Sequence, residues 1–264
     1  MKLSEARGDW ALVTGASCGI GEEFAVQLAQ AGMHVVLVAR SVDKLEALAV
    51  RLRGECGVQV RAIGADLVEP EAAARLKTQL AKEGIRVRLL CNNVGRGRWG
   101  RMENTELAYY QEILTLNTSL VVAMCHTFLP DLASFPSSAV INLASTAVYQ
   151  PVPYMGVYAA SKAFVHSFSQ ALHGEWAARG IVVQSLLPGP TDTGFDATAG
   201  AYPTKLIKRG RPSQVVTDSL AALAGGAPVV ESAPESTLVQ RLFAALAPRR
   251  MVIREVAKMF KPPQ

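Results

Sequence analysis

Six short apolar runs punctuate the chain, and segments with helical spacing of apolar residues separate them. Trp10 to Thr14 is the first run. The glycine-rich turn Gly15-Ala-Ser-Cys-Gly19-Ile-Gly21 follows and opens a helical pattern that lasts to Ala31. His34 to Val38 is the second run, with a helix over Val42 to Arg53 after it. Val58 to Ile63 and Val87 to Cys91 are the third and fourth, separated by a helix from Pro70 to Lys82. A long helical pattern runs from about Thr105 to Leu132. Ala139 to Leu143 is the fifth run, a helix through Tyr158 reaches about Arg179, and Ile181 to Leu187 is the sixth. Apolar, β-branched runs without alternation fit strands buried on both faces. Their alternation with helices predicts an α/β fold, a doubly wound parallel sheet with helices on both faces. No internal repeat and no Pro/Ser-rich linker divides the chain, so residues 1–264 read as a single domain. Within it, residues about 194–215 read as a lid, Val229-Val230 as a short last strand, and about 236–264 as a helical extension broken at Pro248.

Composition narrows the reading. A chain of 264 residues, 50% of them hydrophobic, is long enough to bury a sizeable core. The net charge of +5 suits anionic ligands such as phosphates. No long Lys/Arg run is present, so nucleic acid is not an expected partner. Cys18, Cys56, Cys91 and Cys125 form no CxxC pair and no disulfide framework, which points to a reducing, cytoplasmic location. Met1 to Asp9 lack an apolar signal core, and no apolar run reaches the ~18 residues of a membrane span.

Candidate chemistry gathers after the strands. A strand, a glycine turn and a helix together set a phosphate against helix N-terminal amides. The spacing here is Gly-x-x-x-Gly-x-Gly, formed by Gly15, Gly19 and Gly21. After the second strand there is no acid for a ribose hydroxyl; Arg40 stands there instead. Its guanidinium either meets a 2′-phosphate or is a solvated residue opening the next helix. Asp66, before Leu67, either accepts from an adenine amino group or caps a turn. Asn92-Asn93-Val94-Gly95 follows the fourth strand, where an amide ties neighbouring strands and touches a cofactor, or marks a plain turn. Arg96, Arg98 and Arg101 make the next loop basic. Asn117 lies inside the long helical pattern, where Asn is mildly disfavoured. Ser145 stands past the fifth strand, and Pro188-Gly189-Pro190-Thr191-Asp192-Thr193 turns past the sixth. Tyr158 and Lys162, four apart, share one helix face, where the ammonium favours the phenolate.

From Trp10 to Thr193 these motifs, taken in order, resemble the short-chain dehydrogenase/reductase family. The resemblance implies a Rossmann fold and an NADP-dependent oxidoreductase that interconverts a ketone or aldehyde with an alcohol. It implies Tyr158 as proton donor, Lys162 as the residue that lowers its pKa and bonds the nicotinamide ribose, Ser145 as holder of the substrate oxygen, and Asn117 as the anchor of a water. Gly15, Ser17, Cys18, Ile20 and Gly21 would cradle the cofactor. Asp66, Leu67 and Asn92 would contact the adenosine side, and Pro188, Gly189, Thr191 and Thr193 the nicotinamide side. Cys18 stands where some NADP-preferring members carry a basic residue, so Arg40 alone carries the preference for NADP over NAD. The Asn-Asn-Val-Gly variant resembles the branch of hydroxysteroid dehydrogenases and very-long-chain 3-ketoacyl-CoA reductases. The resemblance also implies a homodimer or homotetramer.

Other features have plainer readings. Tyr154 reads as a substrate-side wall. His34, His126, His166 and His173 do not cluster, so no metal site is expected. Residues 94–104, 146–156 and 190–215 would build a pocket for a hydrophobic or acyl substrate. The basic amphipathic tail either packs on its own domain or a subunit partner, the preferred reading, or lies on a membrane surface. A non-catalytic dinucleotide-binding scaffold is the alternative to an enzyme; it would need no acid at residue 158.

Overall fold

Successive residues of each strand pack against opposite faces of one sheet, so both faces demand apolar side chains. The strands are β1 (Trp10–Thr14), β2 (His34–Ala39), β3 (Val60–Gly64), β4 (Val87–Asn92), β5 (Ser138–Leu143), β6 (Ile181–Pro188) and β7 (Val229–Ser232). The computed structural model describes residues 1–200, 209–232 and 234–262. All strand pairs are parallel, in the order β3-β2-β1-β4-β5-β6-β7. This is the doubly wound, Rossmann-type sheet expected from the alternating pattern.

Ala11 and Val13 of β1, with Val35 and Leu37 of β2, face helices α1 (Gly19–Gln30), α2 (Val42–Cys56) and α8 (Pro212–Leu223). Leu12, Val36 and Val38 point the other way, to α3 (Ala72–Lys82), α5 (Leu120–Leu132) and α6 (Gly156–Trp176). Proline at the first turn of α8 costs no helical hydrogen bond. Three starts differ from the sequence reading: β3 begins at Val60 rather than Val58, β5 at Ser138 rather than Ala139, and α3 at Ala72 rather than Pro70.

The long helical pattern is not one regular helix. It divides into α4 (Leu107–Leu114), a π-helical turn over Thr115–Ser119, and α5. By length and composition the whole stretch Leu107–Leu132 passes for a membrane span. Its Leu116, Val121, Met124, Cys125 and Phe128 are buried in the sheet core, which is how a core helix behaves.

Chain order places the site. β1 lies between β2 and β4, so the connections leaving β1 and β4 diverge to opposite faces and open a crevice at their carboxyl ends. The expected lid begins as the short helix α7 (Phe195–Ala199), and a bridge joins Thr191 to Gly210; residues 201–208 lie outside the described residues. Two further helices, α9 (Pro234–Leu246) and α10 (Arg249–Phe260), are separated at Pro248, which lacks the N–H a continuous helix needs.

Candidate active site

The first wall of the crevice is the glycine turn between β1 and α1. An added Cβ at Gly21 would overlap the carbonyl oxygen of Gly15, so only glycine lets the first turn of α1 close on the loop. Cys18 caps α1 without a side-chain hydrogen bond, and the amides of the first turn keep their capacity for an anion. Asn93 holds this loop. Its Nδ2 donates to the carbonyls of Thr14 at 2.9 Å and Gly15 at 3.3 Å. The Thr14 hydroxyl accepts from the backbone amides of Asn93 and Val94 at 3.0 and 3.1 Å. Ser17 and Ile20 are half-buried on the loop and Cys18 is exposed.

Asn92 ties β4 to β5, as the strand-tying reading of this amide expects. Its side chain turns inward, donating to Asn142 Oδ1 at 2.8 Å. Any contact it makes with a ligand falls to its main chain. Strand alternation explains the split: of two adjacent amides, one faces the core and its neighbour faces the loop. Leu67 is likewise buried in the core. The Asp66 carboxylate accepts from the backbone amide of Val68 at 3.1 Å, the turn-capping arrangement, and stays exposed. Arg40 is exposed at the end of β2, and its guanidinium has no ion pair or hydrogen bond among the described residues.

The second wall comes from α6. Tyr158 and Lys162 lie one turn apart, and Lys162 is buried with 4% exposure. Its ammonium donates to the carbonyl of Leu143 at 2.6 Å and lies 5.9 Å from the centre of the Tyr158 ring. Burial pulls Lys162 down to about 8. Burial pushes the Tyr158 hydroxyl up to about 12, opposed by its hydrogen bond with Ser145 and reinforced by the Asp196 carboxylate. The lowering expected from the Lys162 spacing is not among the effects on this phenol; desolvation dominates, and the opposing effect comes from Ser145. Ser145 opens a short turn, its Oγ accepting from the Ala147 amide at 3.2 Å.

Asn117 closes the arrangement. The π turn carries it, fully buried, to the loop that follows β4. Its Oδ1 accepts from the Arg96 amide at 2.9 Å, and its Nδ2 donates to the Arg96 carbonyl and to Ser161 Oγ, both at 2.9 Å. Ser161 in turn donates to the Tyr158 carbonyl at 2.7 Å. One amide thus fixes the β4 loop to the helix that carries Tyr158 and Lys162.

Beyond β6, Gly189 donates to the Ser232 carbonyl at 3.1 Å and accepts from the Thr191 hydroxyl at 2.8 Å, which holds the turn after Pro188. Thr193 reaches the glycine loop: its side chain lies 3.0 Å from where a Cβ on Gly19 would stand. The turn leads into Phe195, which the sequence reading did not single out. Its ring centre lies 5.3 Å from that of Tyr158, and its edge would lie 2.6 Å from a Cβ added to Gly97. A lone apolar residue among Gly, Asp and Thr was the available signal.

The substrate side is apolar. Val152, Met155 and Ala159 cluster with Trp99, Tyr158 and Phe195, and with Val252 and Val256 of α10. The Trp99 indole donates to the Phe260 carbonyl at 2.7 Å, and Gln240 of α9 donates to the carbonyl of Thr146 at 3.2 Å. The tail thus packs on its own chain, as preferred from the sequence. Tyr154 holds a left-handed backbone with φ of 67°, and its carbonyl accepts from Gly100 at 3.0 Å. His166 and His173 serve packing, their Nδ1 atoms bonded to Ser185 Oγ and to the Val183 carbonyl.

Together, the carboxyl edge holds an anion-ready glycine loop at the switch point and a desolvated phenol beside a hydroxyl and a buried ammonium. That is the layout of a dinucleotide-dependent oxidoreductase. The short chain dehydrogenase family model matches residues 9–202, and the chain belongs to that family of NAD(P)-dependent oxidoreductases. It is 34% identical over 189 residues to a very-long-chain 3-oxoacyl-CoA reductase of Bos taurus, covering 69% of this chain and 59% of that protein. It is 33% identical over 193 residues to human 17-beta-hydroxysteroid dehydrogenase type 3, covering 70% and 60%. The chain thus spans about 59% of the length of the first of these relatives. Among solved structures, a short-chain dehydrogenase from Sphingobium yanoikuyae in complex with NADPH superposes with a TM-score of 0.82, 31% identity, and coverage of 97% and 96%.

The two curated relatives are enzymes of the endoplasmic reticulum membrane, which overturns the cytoplasmic location expected from cysteine usage. The physical reason is that Cys91 and Cys125 are small core residues, buried with raised pKa values. They report packing rather than compartment.

Proposed function

We propose that the protein reduces a hydrophobic ketone or aldehyde to the alcohol, reversibly, with NADPH. The observation that carries the reading is the meeting of Tyr158, Ser145, Lys162 and Asn117 at one end of the crevice, with the anion-ready glycine loop at the other. The residues fit a dinucleotide. The uncapped first turn of α1 suits a pyrophosphate, and the exposed guanidinium of Arg40 suits a 2′-phosphate. Bound there, the nicotinamide would supply the hydride.

The chain's residues do the rest. Tyr158, a neutral phenol whose burial moves its titration further up, hands its proton to the substrate oxygen as charge develops there. Ser145 donates a hydrogen bond to the same oxygen. Lys162 keeps a positive charge near the phenol as the proton leaves. Asn117 and Ser161 hold the loop and helix in register. Phe195, Trp99, Met155 and the inner faces of α9 and α10 exclude water and favour an apolar substrate. Relatives acting on 3-oxoacyl-CoA and 17-beta-hydroxysteroid substrates are in keeping with such a wall. Residues 1–264 act as one catalytic unit, with α7 over the crevice and the C-terminal helices as roof. Leu107, Leu114 and Val122 along α4–α5 and Phe164 on α6 leave an exposed apolar face, and we assign homo-oligomer contact to it.

Purified protein should consume NADPH with a panel of bulky ketones. Tyr158→Phe should lower kcat by about 10³-fold, within the range of a lost general acid, while NADPH binding by fluorescence titration stays unchanged. Undiminished turnover by Tyr158→Phe would remove the proposed acid. Tight NADPH binding by the wild type with no turnover across the panel would leave a non-catalytic dinucleotide scaffold instead.

A further inference from the structure

The described surface carries fourteen exposed large apolar side chains, and seven of them sit on α9 and α10. On α9 they form a stripe. Leu238, Val239, Leu242 and Leu246 recur at helical spacing and are 56%, 69%, 51% and 81% exposed. The packed side of α9 adjoins this stripe, with Phe243 in the apolar cluster beside Tyr158 and Gln240 bonded to Thr146. α9 is therefore apolar on a face its own fold does not cover. An exposed stripe of this kind, about 12 Å long from Leu238 to Leu246, marks an interaction surface.

The neighbouring helix says what chemistry covers it. α10 buries Val252 and Val256 and turns Arg250, Arg254, Lys258 and Lys261 outward, with Met251 and Ile253 exposed on either side. Between residues 249 and 261 there are five basic residues and one acid, Glu255. Arg254 and Lys258 both take that acid at 3.0 Å. Arg249, Arg250 and Lys261 have no ion pair or hydrogen bond among the described residues. A second copy of the chain would bring the same positive helix against this one, since a two-fold contact pairs each patch with itself. An anionic lipid surface supplies both missing partners at once, hydrocarbon for the stripe and phosphate for the cations.

We propose that the outer face of α9 and α10 docks on an anionic lipid bilayer, with the α9 stripe in the acyl boundary and the α10 cations on headgroups. The inner faces of the same helices line the apolar cluster beside Tyr158, so docking sets that cluster one helix thickness from lipid. The inference concerns the surface and stands whether or not the catalytic reading does.

Full-length protein is sedimented with vesicles of phosphatidylcholine alone and of phosphatidylcholine with phosphatidylserine. The anionic vesicles should carry the protein down and the neutral ones should not, with binding falling as salt rises. Arg249→Gln with Arg250→Gln should weaken binding roughly fivefold per charge removed. Leu242→Ser with Leu246→Ser should abolish it. These side chains are exposed, and an unchanged thermal midpoint would verify that the variants fold. No sedimentation with anionic vesicles, or equal sedimentation with both kinds, would overturn the proposal. So would a leucine variant that still binds vesicles but loses a dimer seen by ultracentrifugation, because the stripe would then belong to a second copy.

Discussion

The two edges of the sheet treat buried charge in opposite ways. At the amino edge, Arg88 is 8% exposed and its guanidinium has three acceptors. It donates to the Ser137 carbonyl at 2.8 Å, the Glu5 carbonyl at 2.6 Å and the Asp9 carboxylate at 2.7 Å. Asp131 there accepts from Lys77 and from the Val87 amide, tying α3 and α5 to β4. At the carboxyl edge, Lys162 is as deeply buried but among the described residues has only a carbonyl, and no acid there offsets its desolvation. A folded protein tolerates an uncompensated ammonium only where something other than stability selects it. The comparison separates charge that holds the fold from charge held for chemistry.

Breaking the first kind should cost most in stability. Asp131→Ala leaves the Lys77 ammonium and the Val87 amide without their acceptor. Unfolding in urea should show a loss of about 3 kcal/mol, with kcat per folded molecule unchanged. A fall in kcat at constant stability would erase the distinction between the edges.

Removing the second kind should do the reverse. Lys162 has its folded pKa lowered to about 8 from 10.5, so the unfolded chain binds more protons between those values. The wild type should therefore gain stability as pH rises above 8. Tyr158, raised to about 12 from 10.0, acts oppositely and should erode stability above pH 10. Lys162→Met, without added cofactor, should be more stable at pH 7 by on the order of 2 kcal/mol, lose the rise above pH 8, and lose turnover. A destabilised Lys162→Met would mean the ammonium holds the fold after all.

The smallest effect sharpens the cofactor end of the same edge. Arg40→Ala should raise KM for NADPH about tenfold, the weight of a charge-assisted contact, and leave KM for NADH unchanged. Equal effects on both cofactors would return Arg40 to a solvated helix start.

The sequence made the sheet legible because parallel strands are buried on both faces and read as unbroken apolar runs. The glycine turn and the Tyr158–Lys162 spacing were legible because each is local. What escaped depends on tertiary context. The π turn at Thr115–Ser119 is invisible in a pattern that reads as one helix, since partners on Arg96 and Ser161 select it. The choice between Asn92 and Asn93 rests on strand phase at the last residue of β4. The positive φ of Tyr154 follows from its loop, not its side chain. The balance of burial against charge at Tyr158 and Lys162 needs the depth of both groups, which spacing does not contain.

The bond from the Trp99 indole to the Phe260 carbonyl joins residues 161 positions apart. Residues 10–193 shape the crevice and its phenol, whereas the wall beside them is fixed from the far end of the chain, by a carbonyl on α10. Shortening α10 would therefore loosen the substrate side and leave the dinucleotide loop as it is.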